Sequence, residues 1–243
     1  MNDLPTARFT ERAGAYAANR PGYPPAALDA LLEGLGPPEH LTIADIGAGT
    51  GIAARLLAER GATVLAVEPN HSMAEQAEPD PRIEWIDGTG EDTHLPAKSV
   101  DIAGAFQAFH WFEAQTAVEE FKRISRRRIA LVQYERDESH AFAAAYGELV
   151  RRFAIEDIEQ RRAQALTTFA QLAGASCKRS EHSYEQLLDL QQQLGRMEST
   201  SYLPHGGAKA EELRREAVAL FERFAEGGRV SLTMVCYVLY ADA

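Results

Sequence analysis

Short apolar segments alternate with amphipathic stretches through the first half of the chain. Five of these segments are bounded by turn residues and are too short for helices, which predicts strands at residues 41–46, 62–67, 82–86, 100–106 and 129–134. The amphipathic stretches between them predict helices at residues 26–35, 52–60, 71–78 and 113–124. Strands that alternate with helices in this way are typical of a parallel, doubly wound sheet.

The second half has a different pattern. Residues 137–173 and 184–225 carry helical spacing, interrupted by a strand-like segment at 176–183 and a loop at 199–207. Residues 230–240 are rich in β-branched and aromatic residues and apolar on both faces, which predicts a buried central strand. The predicted fold is a Rossmann-like α/β domain with a mostly parallel seven-stranded sheet, helices on both faces and a helical cap.

The expected organisation is one domain of 243 residues. This domain is expected to comprise N-terminal lid helices at 1–36, a core at 37–136, a helical cap with one strand at 137–228, and a final strand at 229–243.

Charge and cysteine content limit the partners. The chain has 25 Lys and Arg against 36 Asp and Glu, a net charge of −11, so nucleic acid is not an expected partner. The basic clusters at 126–128, 151–152 and 161–162 lie on or beside predicted surface helices and are expected to be solvated. Two cysteines without CxxC spacing favour the cytoplasm over a disulfide framework.

Membrane insertion and metal binding are not expected either. The N-terminus has no basic flank or apolar core, and no apolar stretch approaches the roughly 20 residues of a membrane span. The seven histidines show no HxH or HExxH spacing, so no metal site is predicted.

A glycine-rich turn follows the first predicted strand. Gly47, Gly49 and Gly51 permit positive φ angles and close backbone approach to a ligand, although a tight loop without a ligand is the alternative. A dinucleotide GxGxxG register counted from Gly47 fails, because its last position is Ile52.

Two carboxylates favour S-adenosylmethionine (SAM) over a nicotinamide cofactor at this turn. Asp45 precedes the first glycine, where it can engage the methionine ammonium directly or through water. Glu68 ends the second strand, where it can accept hydrogen bonds from both ribose hydroxyls, a feature that suits either cofactor.

Several motifs together carry a resemblance to the class I SAM-dependent methyltransferases, in the branch related to trans-aconitate and cantharidin methyltransferases. The resemblance extends over nearly the whole chain. The motifs lie at residues 8–9, 16–24, 45–51, 67–70, 87–91, 107–112 and 199–204. The glycine motif is typical of the superfamily, and the run Gln-Ala-Phe-His-Trp-Phe at 107–112 is typical of the branch.

The resemblance implies roles for further residues. Pro69 follows Glu68, whose carboxylate would bind the ribose. Met73 would pack near the adenine, with core packing alone as the alternative. Thr89, Gly90 and Glu91 would form the turn at the adenine edge. Thr89 replaces an Asp that many relatives carry. Residues 125–128, Ser-Arg-Arg-Arg, replace the usual Pro-Gly-Gly turn before the fifth strand.

The segment from Gln107 to Trp111 follows the fourth strand, at the carboxyl edge of the sheet where ligands bind in open α/β folds. His110 is a candidate general base, because its unperturbed pKa of about 6.5 suits proton removal near neutral pH, or it only shapes the pocket. Trp111 is a candidate substrate contact, with core packing as the alternative.

Two outer segments complete the expected site. Tyr16 and Arg20 are expected in a lid over the cofactor, where Arg20 would hold the methionine carboxylate or an acidic substrate; a plain surface helix is the alternative. Tyr23 and Tyr202 are candidate substrate contacts, Tyr202 from the cap.

The expected function is methyl transfer from SAM to a small-molecule acceptor, with a carboxylic acid as one candidate class. A SAM-binding regulatory or inactive homologue and an NAD-dependent oxidoreductase are the alternatives. The atom methylated and the oligomeric state do not follow from the sequence.

Overall fold

A single twisted sheet of seven strands organises the structure, a computed structural model that describes residues 22–242. Its strand order is β3-β2-β1-β4-β5-β7-β6. The first five strands are mutually parallel, whereas β7 runs antiparallel to both β5 and β6. The strands are β1 (Thr42–Ile46), β2 (Thr63–Val67), β3 (Ile83–Ile86), β4 (Val100–Phe106), β5 (Ser125–Arg136), β6 (Lys178–Leu188) and β7 (Val230–Asp242). This sheet confirms the predicted fold class.

Eight α-helices within residues 22–242 cover both faces of this sheet. They are α1 (Pro25–Leu32), α2 (Ile52–Ala58), α3 (His71–Ala74), α4 (Ala114–Ile124), α5 (Ala141–Phe153), α6 (Ile158–Ala173), α7 (Leu190–Glu198) and α8 (Gly207–Phe224). Short 3-10 turns lie at Pro38–His40 and Phe109–Trp111.

Each face of the sheet has its own apolar core. On one face α1, α2, α5, α7 and α8 bury side chains such as Leu28, Leu57 and Phe221. On the other face α4 and α6 bury Phe121 and Phe169. Because both faces are covered, all seven residues of the central strand β4 are buried, and six of them are apolar or glycine.

One boundary in the second half of the chain was predicted wrongly. Helical structure was expected from residue 184, but residues 184–188 complete β6, which pairs with β7 through Leu188. The following helix begins after Asp189, whose side chain accepts a hydrogen bond from the Gln192 amide while the Gln192 side chain accepts one from the Asp189 amide. This capping box sets the start of α7.

The segment Ser125–Arg128 is also different from its prediction, because it forms the start of β5 rather than a turn. Arg128 was expected to be solvated but is 3% exposed. Its guanidinium donates to the carbonyl oxygens of Leu31 and Glu33 and to the carboxylate of Asp242. The cation therefore satisfies carbonyls at the end of α1, and its planar group lies 3.9 Å from the centre of the Tyr240 ring.

Candidate functional site

A cavity lies at the carboxyl ends of the central strands. The strand order reverses between β1 and β4, and ligands of open α/β sheets bind at such a switch point. Nine residues singled out from the sequence line the cavity: Tyr23, Asp45, Gly47, Gly49, Glu68, Pro69, Met73, Gln107 and Trp111. The fold therefore brings together residues that are up to 88 positions apart in the sequence, from Tyr23 to Trp111.

The turn after β1 adopts a conformation that requires its glycines. The φ angles of Gly47, Gly49 and Gly51 are 72°, 60° and 76°. A Cβ atom on Gly47 would lie 2.6 Å from the Ala108 Cβ atom, and one on Gly51 would lie 3.1 Å from the Trp85 ring. Two of the three glycines are thus also required by packing within the protein, whereas Gly49 has only an ordinary 3.4 Å neighbour in Met73.

Asp45 is the most unusual polar residue of the cavity. Its side chain is 0% exposed, and within residues 22–242 neither carboxylate oxygen makes a hydrogen bond of ordinary geometry. Burial away from water raises the pKa of Asp45 from 3.8 to about 8, although the nearby Ala54 amide offsets part of the shift and Glu68 adds to it. A buried carboxylate without a partner is costly, so this position favours a cationic ligand.

Glu68 is held in place by the backbone on both sides. Its Oε2 atom accepts a hydrogen bond from the Gly49 amide at 2.8 Å, and its Oε1 atom accepts one from the Asn70 amide at 2.9 Å. Burial raises the pKa of Glu68, and these two amides act in the opposite direction. Each oxygen keeps a second lone pair, so the carboxylate can still accept hydrogen bonds from a bound hydroxyl pair.

Gln107 forms a bridge between the ends of β4 and β5. Its side-chain amide donates to the Tyr134 carbonyl at 3.1 Å, and its side-chain oxygen accepts from the Tyr134 amide at 3.3 Å. The residue has a φ of 59°, which is uncommon outside glycine. These bonds hold the start of the 107–112 segment against the cavity, and a strained backbone kept in place by its surroundings is typical of functional sites.

An aromatic wall closes the cavity, and two of its residues, Phe106 and Tyr134, were not candidates from the sequence. The Tyr23 ring centre lies 5.7 Å from that of Phe106 and 5.6 Å from that of Tyr134. Phe106, Phe112 and Tyr134 all line the cavity, as do Asn70 and Ala108. Phe106 ends its strand, and Tyr134 lies near the end of β5, so their strand positions are the signal that could have identified them.

Other predicted site residues lie around the cavity rather than on its wall. Gly90 packs on Phe112, where an added Cβ would lie 2.6 Å from the ring, and the Glu91 carboxylate accepts a hydrogen bond from the Glu113 amide at 2.7 Å. The Thr89 hydroxyl oxygen accepts hydrogen bonds from the Glu91 and Asp92 amides. The Thr89–Glu91 turn thus supports the wall formed by Phe112.

His110 and Tyr202 are also displaced from the predicted contacts. The His110 ring packs on Trp111, with ring centres 4.8 Å apart, and it is Trp111 that faces the cavity. Tyr202 is buried and lines a second cavity. The predicted lid residues Tyr16 and Arg20 lie outside the described residues.

Neither a metal-binding cluster nor a membrane-spanning helix occurs within residues 22–242. No cluster of three or more His, Cys, Asp or Glu side chains there could hold a metal ion. Within the same range, no helix has the length and apolar character needed to cross a bilayer.

Comparison with known sequences places the core of this site in a family. Residues 44–131, which include the glycine turn, Glu68 and Gln107, match the family described as a methyltransferase domain. An uncharacterized methyltransferase of Mycobacterium tuberculosis is 37% identical over 147 residues, which are 59% of this chain and 59% of that protein. The chain therefore spans less than two thirds of the length of this relative.

Comparison with solved structures extends the similarity of fold beyond the core. A protein of Anaeromyxobacter dehalogenans, provisionally assigned as a type II methyltransferase, superposes with a TM-score of 0.65 and 24% identity, covering 92% of this chain and 97% of that one. A phosphoethanolamine N-methyltransferase of Haemonchus contortus, solved with S-adenosylhomocysteine, gives a TM-score of 0.50 and 17% identity, with coverages of 95% and 57%. Residues 44–131 therefore match a methyltransferase domain, and residues 22–242 share the fold of these solved methyltransferases.

Proposed function

We propose that this protein catalyses methyl transfer from SAM to a small-molecule acceptor. The observation that carries the proposal is the fully buried Asp45 carboxylate, which faces the cavity without a hydrogen-bond partner among residues 22–242. SAM carries an α-ammonium group that would supply the missing cation, and NAD has no such group. The family match over residues 44–131 supports the same cofactor.

The remaining cavity residues fit the other parts of SAM. Glu68 is fixed by two backbone amides and retains lone pairs for the two ribose hydroxyls. Pro69 and Met73 line the same side of the cavity and would pack against the ribose and the adenine. The Thr89–Glu91 turn contributes indirectly, because it supports Phe112.

Bound SAM would supply a methyl group on a sulfonium, so that an acceptor lone pair forms the new bond while the electrons of the carbon–sulfur bond return to sulfur. The chain's own contribution is then positioning and exclusion of water. The wall that would exclude water is formed by Tyr23, Phe106 and Tyr134, each of which is less than 9% exposed. We assign His110 to shaping this wall through Trp111, because its ring packs on Trp111 rather than lining the cavity.

The acceptor class belongs to the same proposal. By resemblance to the trans-aconitate and cantharidin branch, we propose a small organic molecule, with a carboxylic acid as the leading class, and no nucleic acid partner. A carboxylate is already ionised near neutral pH and needs positioning more than a base, a role proposed for Arg20 in the N-terminal lid. The two unbridged cysteines favour the cytoplasm as the place of action.

Binding is the first test. Calorimetry with S-adenosylhomocysteine should give a micromolar Kd for the full chain, and Glu68→Ala should weaken it at least about tenfold by removing a charged acceptor. Asp29→Asn, at an exposed position of α1, is the matched control and should leave the affinity unchanged. Binding of NAD without binding of S-adenosylhomocysteine would refute the proposal.

Turnover is the second test. The protein is incubated with methyl-labelled SAM and a metabolite extract, and labelled products are identified by mass spectrometry. A labelled small molecule that requires the active protein supports transferase activity, whereas tight cofactor binding with no labelled product identifies a regulatory homologue. Once an acceptor is known, Arg20→Ala should reduce turnover far more than His110→Ala if a carboxylate is methylated.

A further inference from the structure

A second cavity of about 190 Å³ adjoins the first behind the end of β5. The buried residue Tyr134 lines both cavities, so they are neighbours. The wall of the second cavity comes from β5, β7 and helices α5, α6 and α7, and it includes charged side chains of both signs. No residue of this wall other than Tyr134 also lines the first cavity.

Most charges at the second cavity are already neutralised by one another. Arg136 forms an ion pair with Glu159 and lies 3.5 Å from Glu138. Arg151, just outside this wall, binds the same two carboxylates at 3.2 Å and 2.7 Å. Glu135 accepts a hydrogen bond from the Gln133 side chain. The three acidic groups therefore have local partners.

Arg196 is different, because it is buried without a counter-ion. Its residue is 8% exposed, and no carboxylate lies within 4.0 Å of its guanidinium in the part of the chain that the structure describes. Its Nη1 atom donates to the Gln186 side-chain oxygen at 2.7 Å, and Nη2 faces the Met234 sulfur at 3.7 Å. A sulfur is a weak acceptor, so much of this cation's bonding capacity is unused.

The backbone at Arg196 is held firmly. The hydroxyls of Ser199 and Thr200 both donate to the Arg196 carbonyl oxygen, at 2.7 Å and 3.0 Å. Arg162, on the opposite side of the cavity, also has a buried Nε atom without a hydrogen-bond partner among residues 22–242. A buried and positioned guanidinium without a carboxylate counter-ion is costly unless an anion neutralises it, and its planar fork matches a carboxylate or a phosphate.

We infer that the methyl acceptor carries an anionic group, and that Arg196 anchors this group in the second cavity. The inference rests on the proposed methyl transfer in the first cavity. Because Arg196 lines only the second cavity whereas the cofactor residues line the first, the anchored anion and the atom that receives the methyl group are different groups of an acceptor that extends past Tyr134. The acceptor is therefore bifunctional, with a nucleophile beside the cofactor and an anion at the far end.

The test is calorimetry of the full chain saturated with S-adenosylhomocysteine, titrated separately with succinate, citrate and inorganic phosphate. At least one of these anions should bind the unmodified protein with a millimolar Kd. Arg196→Met should weaken that binding at least about tenfold, whereas Arg215→Met, the same change on the exposed face of α8, should alter it by less than about twofold. Binding of carboxylates only, or of phosphate only, identifies the anion.

A second variant keeps the arginine and so covers the case in which Arg196→Met does not fold. Met234→Glu places a carboxylate beside Nη2, and this internal counter-ion should abolish binding of the added anion. No binding of any of the three anions up to about 20 mM, or equal binding by Arg196→Met and the unmodified protein, overturns the inference.

Failure of the inference can be distinguished from failure of the proposed function. Arg196 lies outside the first cavity, so Arg196→Met should retain the affinity for S-adenosylhomocysteine. If the unmodified protein does not bind S-adenosylhomocysteine, the proposed function is refuted. The anion titration, repeated without S-adenosylhomocysteine, would then test the role of Arg196 independently.

Discussion

Replacing Asp45 by Asn should stabilise the protein while damaging its cofactor site. The pKa of Asp45 is raised from 3.8 to about 8 because the carboxyl is buried, so the folded protein keeps this proton up to about pH 8 whereas the unfolded chain releases it near pH 4. Between these values the folded state binds more protons. Its free energy of unfolding therefore falls as pH rises, by up to about 1.4 kcal/mol per pH unit.

The size of the effect follows from this difference. At pH 7, about three pH units above the ordinary pKa of 3.8, keeping Asp45 protonated costs the folded state at most about 4 kcal/mol. Relaxation of the protein around the charge will reduce this cost. We therefore expect the free energy of unfolding of Asp45→Asn to exceed that of the unmodified protein by about 1–4 kcal/mol. In a chain of 243 residues each kcal/mol raises Tm by roughly 2–4 °C. At pH 4 roughly half of the unfolded chains keep this proton, so the difference should fall below about 1 kcal/mol.

The assay is thermal and urea unfolding of both proteins from pH 4 to pH 8, with Asp29→Asn as the exposed control. Asp45→Asn should bind S-adenosylhomocysteine at least about tenfold more weakly at pH 7, because it lacks the anionic acceptor. In the unmodified protein, binding near pH 6.5 should release up to about one proton as the ligand ammonium lowers the pKa of Asp45. Parallel stability curves without proton release would refute the reasoning.

Three further predictions concern the fold. Gly47→Ala should lower the free energy of unfolding in urea by about 2–4 kcal/mol, because φ is 72° and the new Cβ would lie 2.6 Å from that of Ala108. Arg128→Met should lower it by about 1–3 kcal/mol, because buried carbonyls lose their donor. Against the opposing effect of burial, hydrogen bonds from Arg123 and Thr93 lower the pKa of Glu120 to about 2. That stabilisation is present above pH 4.5 and is lost as pH falls through about 2. In acid unfolding, the unmodified protein should therefore be more stable than Glu120→Gln above pH 4.5, and this difference should disappear by about pH 2.

The parallel strands could be predicted because burial on both faces leaves a simple signature. Strands β2, β4 and β5 each contain an apolar run, and the glycine turn marks the first change from strand to helix. The end of β6 had no such signature. Leu187, Leu188, Leu190 and Leu194 give the spacing of a helix, so the real boundary depended on the capping box at Asp189.

The start of β5 shows a second reason for failure. Three consecutive arginines suggest a solvated segment, yet successive residues of a strand point to opposite faces, and this pleat turns Arg128 toward the end of α1. Its burial depends on carbonyl oxygens that lie 95 and 97 positions earlier in the chain. Hydrogen bonds between residues so far apart in the chain leave no local pattern in the sequence from which the burial of Arg128 could be predicted.

The two buried charges of the site, Asp45 and Arg196, show how differently functional residues can be encoded. Asp45 could be identified because it lies at the end of a strand, directly beside the glycines that a ligand-binding turn requires. Arg196 lies on an ordinary amphipathic helix, where an arginine is expected to be solvated. In the folded chain it is 8% exposed and contacts the side chains of Gln186 and Met234, and only the folded structure shows that no carboxylate neutralises it within residues 22–242. A sequence can therefore identify the cofactor half of this site, while the acceptor half must be read from which buried charges the fold leaves unpaired.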